Sequence, residues 1–335
     1  MAIICSDGHF FKNLDFCIKF CYYRNKNLFR LMIKRIICVF NLSLCFSLPA
    51  DRFSYIVVEG GSGKILDSHH AHRPQQPASL TKKMTLRLLF EALKARKITL
   101  STKFFVSALA QKQIPSRLDL KKGEWVSVES LIKGLVTKSA NDGCVVVAEN
   151  LAGSVSQFVK IMNKRAKQLG MKHTIFYNPS GVPNPKQQST AYDMVLLAQS
   201  LYRDFPQYFY YFKTKNFKFK NKNYKNHNTL LGKIDGLDGI KTGYVDKAGF
   251  CIATSTSRVV KGKKVRLFAV VLGGKTSKSR DLKTIKLIED NYAKVGYIPQ
   301  CTYKEKQHIS VDEALSDIDK LPIGWSKPKT SSHAA

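Results

Sequence analysis

The sequence predicts a fold of mixed class, α/β in the broad sense and α+β in detail. Strand-like apolar runs gather at both ends of the segment from about residue 54 to residue 297, while the middle, from Val128 to about Tyr202, carries apolar residues at helical spacing. Hydrophobic residues make up 44% of the 335-residue chain and aromatics 11%, values of a globular protein able to bury a full core.

Taken in order, Met32 to Ala50 reads as a basic pair, an apolar stretch of about a dozen residues and a small residue, the pattern of a secretory signal peptide. The run is short for a span, which needs roughly 20 apolar residues. Residues 1–31 are then expected to be an upstream extension ahead of a start at Met32, residues 32–50 the signal peptide, 51–300 the catalytic domain and 301–335 a polar tail. An uncleaved amino-terminal anchor is the rival reading of the same stretch.

Ser54 to Val58 and Lys64 to Leu66 flank Gly60-Gly61-Ser62-Gly63 and predict a β-hairpin. His69, His70 and His72 follow in a polar loop. With no cysteine or paired carboxylate beside them they are expected to be solvated rather than metal ligands. Pro77-Ala78-Ser79-Leu80-Thr81-Lys82 then opens an apolar-periodic run, predicting a helix entered at or just before Ser79. Val128 to Val136 and Val155 to Leu169 predict two core helices, the second stopped by Gly170, and Ser189 is expected to cap a helix reaching about Tyr202. From Phe209 to Tyr224 aromatics alternate with lysines. A half-buried strand pair with a solvated lysine face is expected there, rather than a surface for single-stranded nucleic acid. Two strands, Gly249 to Ser255 and Val265 to Gly273, and a helix from about Ser279 to Tyr292 complete the domain.

The net charge of +31 implies anionic surroundings, but the lysines are scattered and form no nucleic-acid module. Five of the eight cysteines fall in the first fifty residues, and the spacing gives neither a disulfide framework nor a zinc site. Cys144 and Cys251 are expected to pack as small apolar side chains.

Three short motifs carry chemistry. On a helix, residues three apart share a face, so Ser79 and Lys82 place a hydroxyl beside an amine near unpaired backbone N–H groups. That is the outline of an acyl-transfer site. Ser-x-x-Lys alone is common, and it recurs at Ser130–Lys133 and Ser326–Lys329. Here it is followed by the chain's one Ser-x-Asn, Ser139-Ala140-Asn141, and its one Lys-Thr-Gly, at 241–243. This ordered trio resembles the signature set of serine β-lactamases and penicillin-binding proteins.

The resemblance narrows to the low-molecular-mass D-alanyl-D-alanine carboxypeptidases. It rests on Pro-Ala-Ser-Leu-Thr-Lys (77–82), Asn-Pro-Ser-Gly (178–181), Ser-Thr-Ala-Tyr-Asp-Met (189–194), Asp-Gly-Ile-Lys-Thr-Gly-Tyr (238–244), Lys-Ala-Gly-Phe (247–250) and the segment opening at Arg266. It implies a β-lactamase/transpeptidase-like fold, an antiparallel sheet flanked by helices. Val245 stands where that family usually has threonine, and the hairpin reads Val58-Glu59-Gly60-Gly61 where the family usually has an Asp-Ala pair.

The resemblance implies a penicillin-sensitive, serine-type enzyme that removes the terminal D-alanine from peptidoglycan stem peptides through an acyl-enzyme on Ser79. Lys82 would be the base and Ser139 a proton relay. Asn141, Lys241, Thr242, Gly243, Tyr244 and Arg266 would bind substrate, with the Ser79 and Tyr244 N–H groups forming the oxyanion hole. No metal or organic cofactor is needed. The expected partners are stem peptides, β-lactams as covalent inhibitors and a membrane surface, with no nucleic acid. The expected location is the periplasm or the outer face of the cytoplasmic membrane. The alternatives are an endopeptidase or β-lactamase on the same site, or a non-catalytic basic binding protein. Against a class A β-lactamase, Glu149 is the one glutamate between Asn141 and Lys241, and it lies in an apolar helical run.

Overall fold

The computed structural model describes residues 53–297. The expected upstream extension, signal peptide and polar tail lie outside these residues.

The predicted hairpin forms β1 (Ser54–Glu59) and β2 (Ile65–His69), paired antiparallel. The first of the three histidines therefore ends a strand: His69 stacks on Tyr55 at 5.7 Å, while His72 packs on Tyr192 at 4.6 Å. The carboxy-terminal strands β7 (Leu237–Val245), β8 (Gly249–Val260) and β9 (Lys263–Gly274) join this hairpin in one five-stranded antiparallel sheet of order β2-β1-β9-β8-β7. Strands from both ends of the domain thus meet, leaving β7 as an open edge.

Strand alternation gives the sheet two apolar faces. On one, Val57, Ile252, Leu267, Ala269 and Val271 pack with Leu287, Ile288 and Tyr292 of the final helix. On the other, Ile56, Val58, Phe268, Val270 and Leu272 pack into the helical core. The latter comprises α1 (Lys82–Lys94), α2 (Val128–Thr137), α3 (Asn141–Ala152), α4 (Val155–Gln168) and α5 (Ala191–Asp204). The final helix, α6, runs from Ser277 to Lys294 and starts in a capping box of Thr276 and Ser279.

Several expectations shift. The cap of α5 is Thr190, whose hydroxyl accepts from the Asp193 N–H at 3.0 Å, while Ser189 Oγ lies 2.8 Å from Thr174 Oγ1. Residues 206–213 are two short helical turns, so the strand pair expected from Phe209 to Tyr224 shrinks to β5 (Asn216–Phe219) and β6 (Lys222–Lys225). Within it Phe217 and Tyr224 are buried and the lysines exposed, the alternation that was expected. A further pair, β3 (Lys103–Phe105) with β4 (Trp125–Ser127), left no periodic signal because each strand is three residues long. Cys144 and Cys251 are buried, and desolvation pushes their thiols up to about 12 and about 11.

Candidate active site

Ser79 occupies a 3-10 turn, Ala78–Thr81, that runs directly into α1, so hydroxyl and amine meet across one turn of nearly continuous helix. Lys82 Nζ lies 2.9 Å from Ser79 Oγ. Two further acceptors hold it: Asn141 Oδ1 at 2.8 Å and the Ser180 carbonyl at 2.6 Å. The first comes from the head of α3. The second comes from the Asn178-Pro-Ser-Gly loop, where Asn178 Oδ1 accepts from the Ser180 and Gly181 N–H groups and closes the turn. Glycine is required at 181. Its φ is +87°, and a Cβ there would stand 1.8 Å from the Ala78 carbonyl oxygen.

Lys82 is fully buried with no carboxylate bonded to it, and desolvation lowers it to about 8. In the neutral amine, two N–H groups serve Asn141 and Ser180, and the lone pair is left for the Ser79 O–H. The geometry is that of a serine with its base already in place.

Strand β7 brings the third motif alongside. A Cβ on Gly243 would lie 2.9 Å from Ser79 N, so the open edge runs directly against the serine turn. Lys241 is buried, and desolvation followed by the field of Lys82 lowers it to about 7. Thr242 is buried beside it, while Tyr244 is half exposed, its hydroxyl donating to Asp246 at 2.7 Å. Ser139 precedes α3 with φ +61°, an unusual conformation for a side-chain-bearing residue, and its hydroxyl is buried without a partner. Asn141 is committed at both ends, since its Nδ2 donates to the Ile114 carbonyl at 3.0 Å. Its resting task is to hold Lys82, and the second lone pair of Oδ1 remains for a ligand.

Arg266 is not brought to this site. Its guanidinium bonds Asp238 Oδ2 at 2.7 Å and the Ser255 hydroxyl, and lies 3.8 Å from the Tyr202 ring centroid. It faces Ser257 across the β8–β9 ladder, whereas the residue paired with Gly243 across β7–β8 is Cys251. The Arg266 expected to meet a substrate carboxylate is thus held in a partly buried ion pair with Asp238 in the resting protein.

Arg280, on α6, was missed. It is 4% exposed, its Nη1 reaches toward the Cys251 carbonyl at 3.5 Å, and its charge contributes to lowering Lys241. An arginine in the first turn of the helix after the last strand was the signal available, but only folding buries it near Lys-Thr-Gly, with its Nη2 paired to Asp281 at 2.6 Å. His227 was missed too. Desolvation, then Lys241, Lys138 and Lys82, lower it to about 4, which places it in the same cationic surroundings. Glu149 lies near the far end of α3, on a small cleft with Phe105 and Ser107.

A family profile described as D-alanyl-D-alanine carboxypeptidase matches residues 49–276. The chain is 37% identical over 292 residues to the D-alanyl-D-alanine carboxypeptidase DacA of Escherichia coli (strain K12), covering 83% of this chain and 69% of that one. It is 34% identical over 268 residues to DacF of Bacillus subtilis (strain 168), covering 77% and 66%. The chain thus spans about two thirds of the length of these relatives. Among solved structures, penicillin binding protein 5 from Haemophilus influenzae superposes with a TM-score of 0.68 at 34% identity, covering 72% of this chain and 70% of that one. Penicillin-Binding Protein D2 from Listeria monocytogenes, solved in its ampicillin-bound form, gives 0.61 at 30% identity, covering 71% and 96%. The fold is the β-lactamase/transpeptidase-like one.

Proposed function

The chain belongs to the D-alanyl-D-alanine carboxypeptidase family of serine peptidases, and from that premise we propose that Ser79 is its nucleophile and that it removes the terminal D-alanine from peptidoglycan stem peptides. The observation that carries the assignment is the Lys82 amine, desolvated, held by Asn141 Oδ1 and the Ser180 carbonyl, and within 2.9 Å of Ser79 Oγ.

Ser79 Oγ attacks the carbonyl carbon of the penultimate D-Ala as Lys82 Nζ takes the hydroxyl proton. Negative charge develops on the carbonyl oxygen, against the N–H groups of Ser79 and Tyr244; removing one such donor typically costs about 100- to 1,000-fold. The C–N bond then breaks, and the departing amine takes the Ser139 hydroxyl proton as Ser139 takes from Lys82 the proton that came from Ser79, which leaves Lys82 neutral again; the Ser139 hydroxyl has no other bond in the resting site. Water attacks the ester, Lys82 accepts its proton, and Ser79 is restored. The substrate backbone pairs along the open edge of β7, its terminal carboxylate meeting Lys241 and Thr242 with Arg280 behind them. A carboxylate there also favours the charged form of Lys241. Asn141 presents its spare lone pair to the substrate amide. β-Lactams acylate the same serine. A cell-wall substrate places the enzyme outside the cytoplasm.

The test is D-alanine release from diacetyl-Lys-D-Ala-D-Ala by the full chain, with benzylpenicillin labelling alongside. Ser79→Ala is expected to reduce release by about 10⁴-fold or more and to abolish labelling. Release that survives the substitution removes Ser79 from the mechanism. Labelling without release points to an endopeptidase, and fast penicillin turnover to a β-lactamase.

A further inference from the structure

Asp142 follows Asn141 in the first turn of α3 and is fully buried, although no step above uses it. The start of that helix needs help: Ala140 stands at the cap position and has no side-chain acceptor for the first N–H groups. The Asp142 carboxylate supplies one and reaches further. Its Oδ1 accepts from the Gly143 N–H at 2.8 Å and from the Leu118 N–H at 3.1 Å, and its Oδ2 accepts from the Leu120 N–H at 3.1 Å. Three N–H donors on two oxygens suit an ionised carboxylate, which accepts at every lone pair. No lysine or arginine among the described residues is bonded to it, so these backbone groups are its partners.

The segment clamped in this way leads back to the site. The Ser116 carbonyl accepts the Asn141 N–H at 2.7 Å, and the Ile114 carbonyl accepts Asn141 Nδ2 at 3.0 Å. Ser116 Oγ donates to the Lys138 carbonyl at 2.5 Å. Residues 114–120 therefore grip the turn from Lys138 to Asp142 at both of its ends. Inside that turn Ser139 holds its φ of +61°, and from it Asn141 Oδ1 takes Lys82 Nζ at 2.8 Å. Hydrogen bonds run from Asp142 to Leu118 and Leu120, and from Ser116 and Ile114 to Asn141 and so to the base.

We infer that Asp142 is a positioning residue for acyl transfer: its carboxylate fixes residues 116–120 against the Ser139–Asn141 turn and so aims Asn141, and through it the Lys82 amine, at Ser79. This rests on the reading of Lys82 as the base. The charge of Asp142 acts in the same place. Desolvation lowers Lys82 to about 8, and Cys144 and Asp142 oppose that fall. The Cys144 thiol is pushed up to about 12, so at neutral pH the opposing anion is Asp142. The other charged or titratable groups facing Lys82 are Lys241 of β7 and His227 of the loop after β6. Burial raises the Asp142 carboxyl while its three N–H partners lower it, and Asp119 adds a weaker upward push. Asp119 is itself paired with Arg117 and Lys222, and the Tyr224 phenol also feels Asp142.

The experiment follows acylation of the full chain by benzylpenicillin against pH, in the parent, in Asp142→Asn and in Ser116→Ala. Near-ultraviolet circular dichroism gives the folded fraction, and rates are expressed per folded molecule. Asparagine is isosteric, but it removes the charge and turns an amide N–H group toward a backbone N–H. Asp142→Asn is expected to slow the high-pH plateau about 10- to 100-fold, the cost of a misplaced reacting group. Its rising limb is expected at lower pH than the parent's, because the anion that holds Lys82 up is gone. Ser116→Ala cuts a neutral tie of the same segment and is expected to slow the plateau up to about tenfold with the limb in place. A rate per folded molecule equal to the parent's, or a limb that stays where it was in Asp142→Asn, overturns the inference and leaves Asp142 a merely structural group. Should Asp142→Asn fail to fold, Ser116→Ala decides: slower acylation supports the inference and the parent rate overturns it. A parent protein with no limb near pH 8 refutes Lys82 as the base, and the role of Asp142 falls with it; an intact parent limb confines any failure to Asp142.

Discussion

The two ends of α1 handle buried cations in opposite ways. At the amino end Lys82 and its neighbour Lys83 are fully buried, and Lys241 of β7 joins them, none bonded to a carboxylate. Desolvation lowers them to about 8, about 7 and about 7. At the carboxy end Arg87 is almost as deeply buried, yet it is flanked by Glu91 and Asp204. Burial raises the Asp204 carboxyl, but hydrogen bonds from Arg203 and Arg87 outweigh it and hold the group below the usual range. Ammonium groups give up their proton at accessible pH and guanidinium groups do not, so an unpaired buried cation becomes a base only if it is lysine. Ion pairing at the rear keeps charge; its absence at the front makes chemistry.

Exchanging the residue types is the most direct way to break this contrast. Lys82→Arg keeps a cation near Ser79 and removes the base, so acylation by benzylpenicillin is expected to slow by about 10³-fold or more. In the parent protein the acylation rate should rise with pH through about 8, where Lys82 loses its proton, and the variant should lack that limb. A variant acylated at the parent rate would show that another group accepts the proton.

Lys83 sharpens the contrast from the side of stability. Its Nζ donates to the Met194 carbonyl at 2.8 Å and is bonded to no other residue. With a folded value of about 7 against the ordinary value of 10.5, the native state binds fewer protons than the unfolded chain between those limits. Its penalty is absent above pH 10.5, grows as pH falls and is complete below 7. Lys83→Met is therefore expected to stabilise the protein by a few kcal/mol, on the order of 3, at pH 7 and below, with the gain shrinking toward pH 10, as read by urea unfolding across that range. An unchanged difference at all pH values would show that Lys83 is not neutralised by burial.

The smallest expected effects separate two arginines. Arg280→Gln should raise KM for diacetyl-Lys-D-Ala-D-Ala about 10- to 100-fold with a smaller change in kcat, because its charge lies behind Lys241. Arg266→Gln should leave KM within about twofold and lower stability by about 1–3 kcal/mol, the result of leaving Asp238 unpaired. The reverse outcome would restore Arg266 to the substrate pocket.

Much of this was legible in the sequence. Helical spacing announced α1, α2 and α4, and apolar runs announced the strands of the main sheet. These are local properties, set by the period of side chains along one segment. The trio of Ser79, Ser139 and Lys241 motifs was legible for a different reason: nucleophile, base and relay restrict residue type so tightly that three short patterns in order are informative. The short strands β3 and β4 were not, since three residues carry no period.

What the sequence alone determined is the inventory: which segments are strands or helices, and which side chains have the chemistry for acyl transfer. Tertiary structure decided which of them meet. Arg266 and Arg280 are equally plausible carboxylate ligands on paper; the β8–β9 register sends the first to Asp238 and the start of α6 sets the second behind Lys241. Ser180 supplies Lys82 with an acceptor through its backbone, which every residue has, so no side-chain pattern could reveal it. Lys82 is lowered to about 8 because folding removes it from water and withholds a carboxylate, and desolvation is a property of surroundings that a one-dimensional string does not carry.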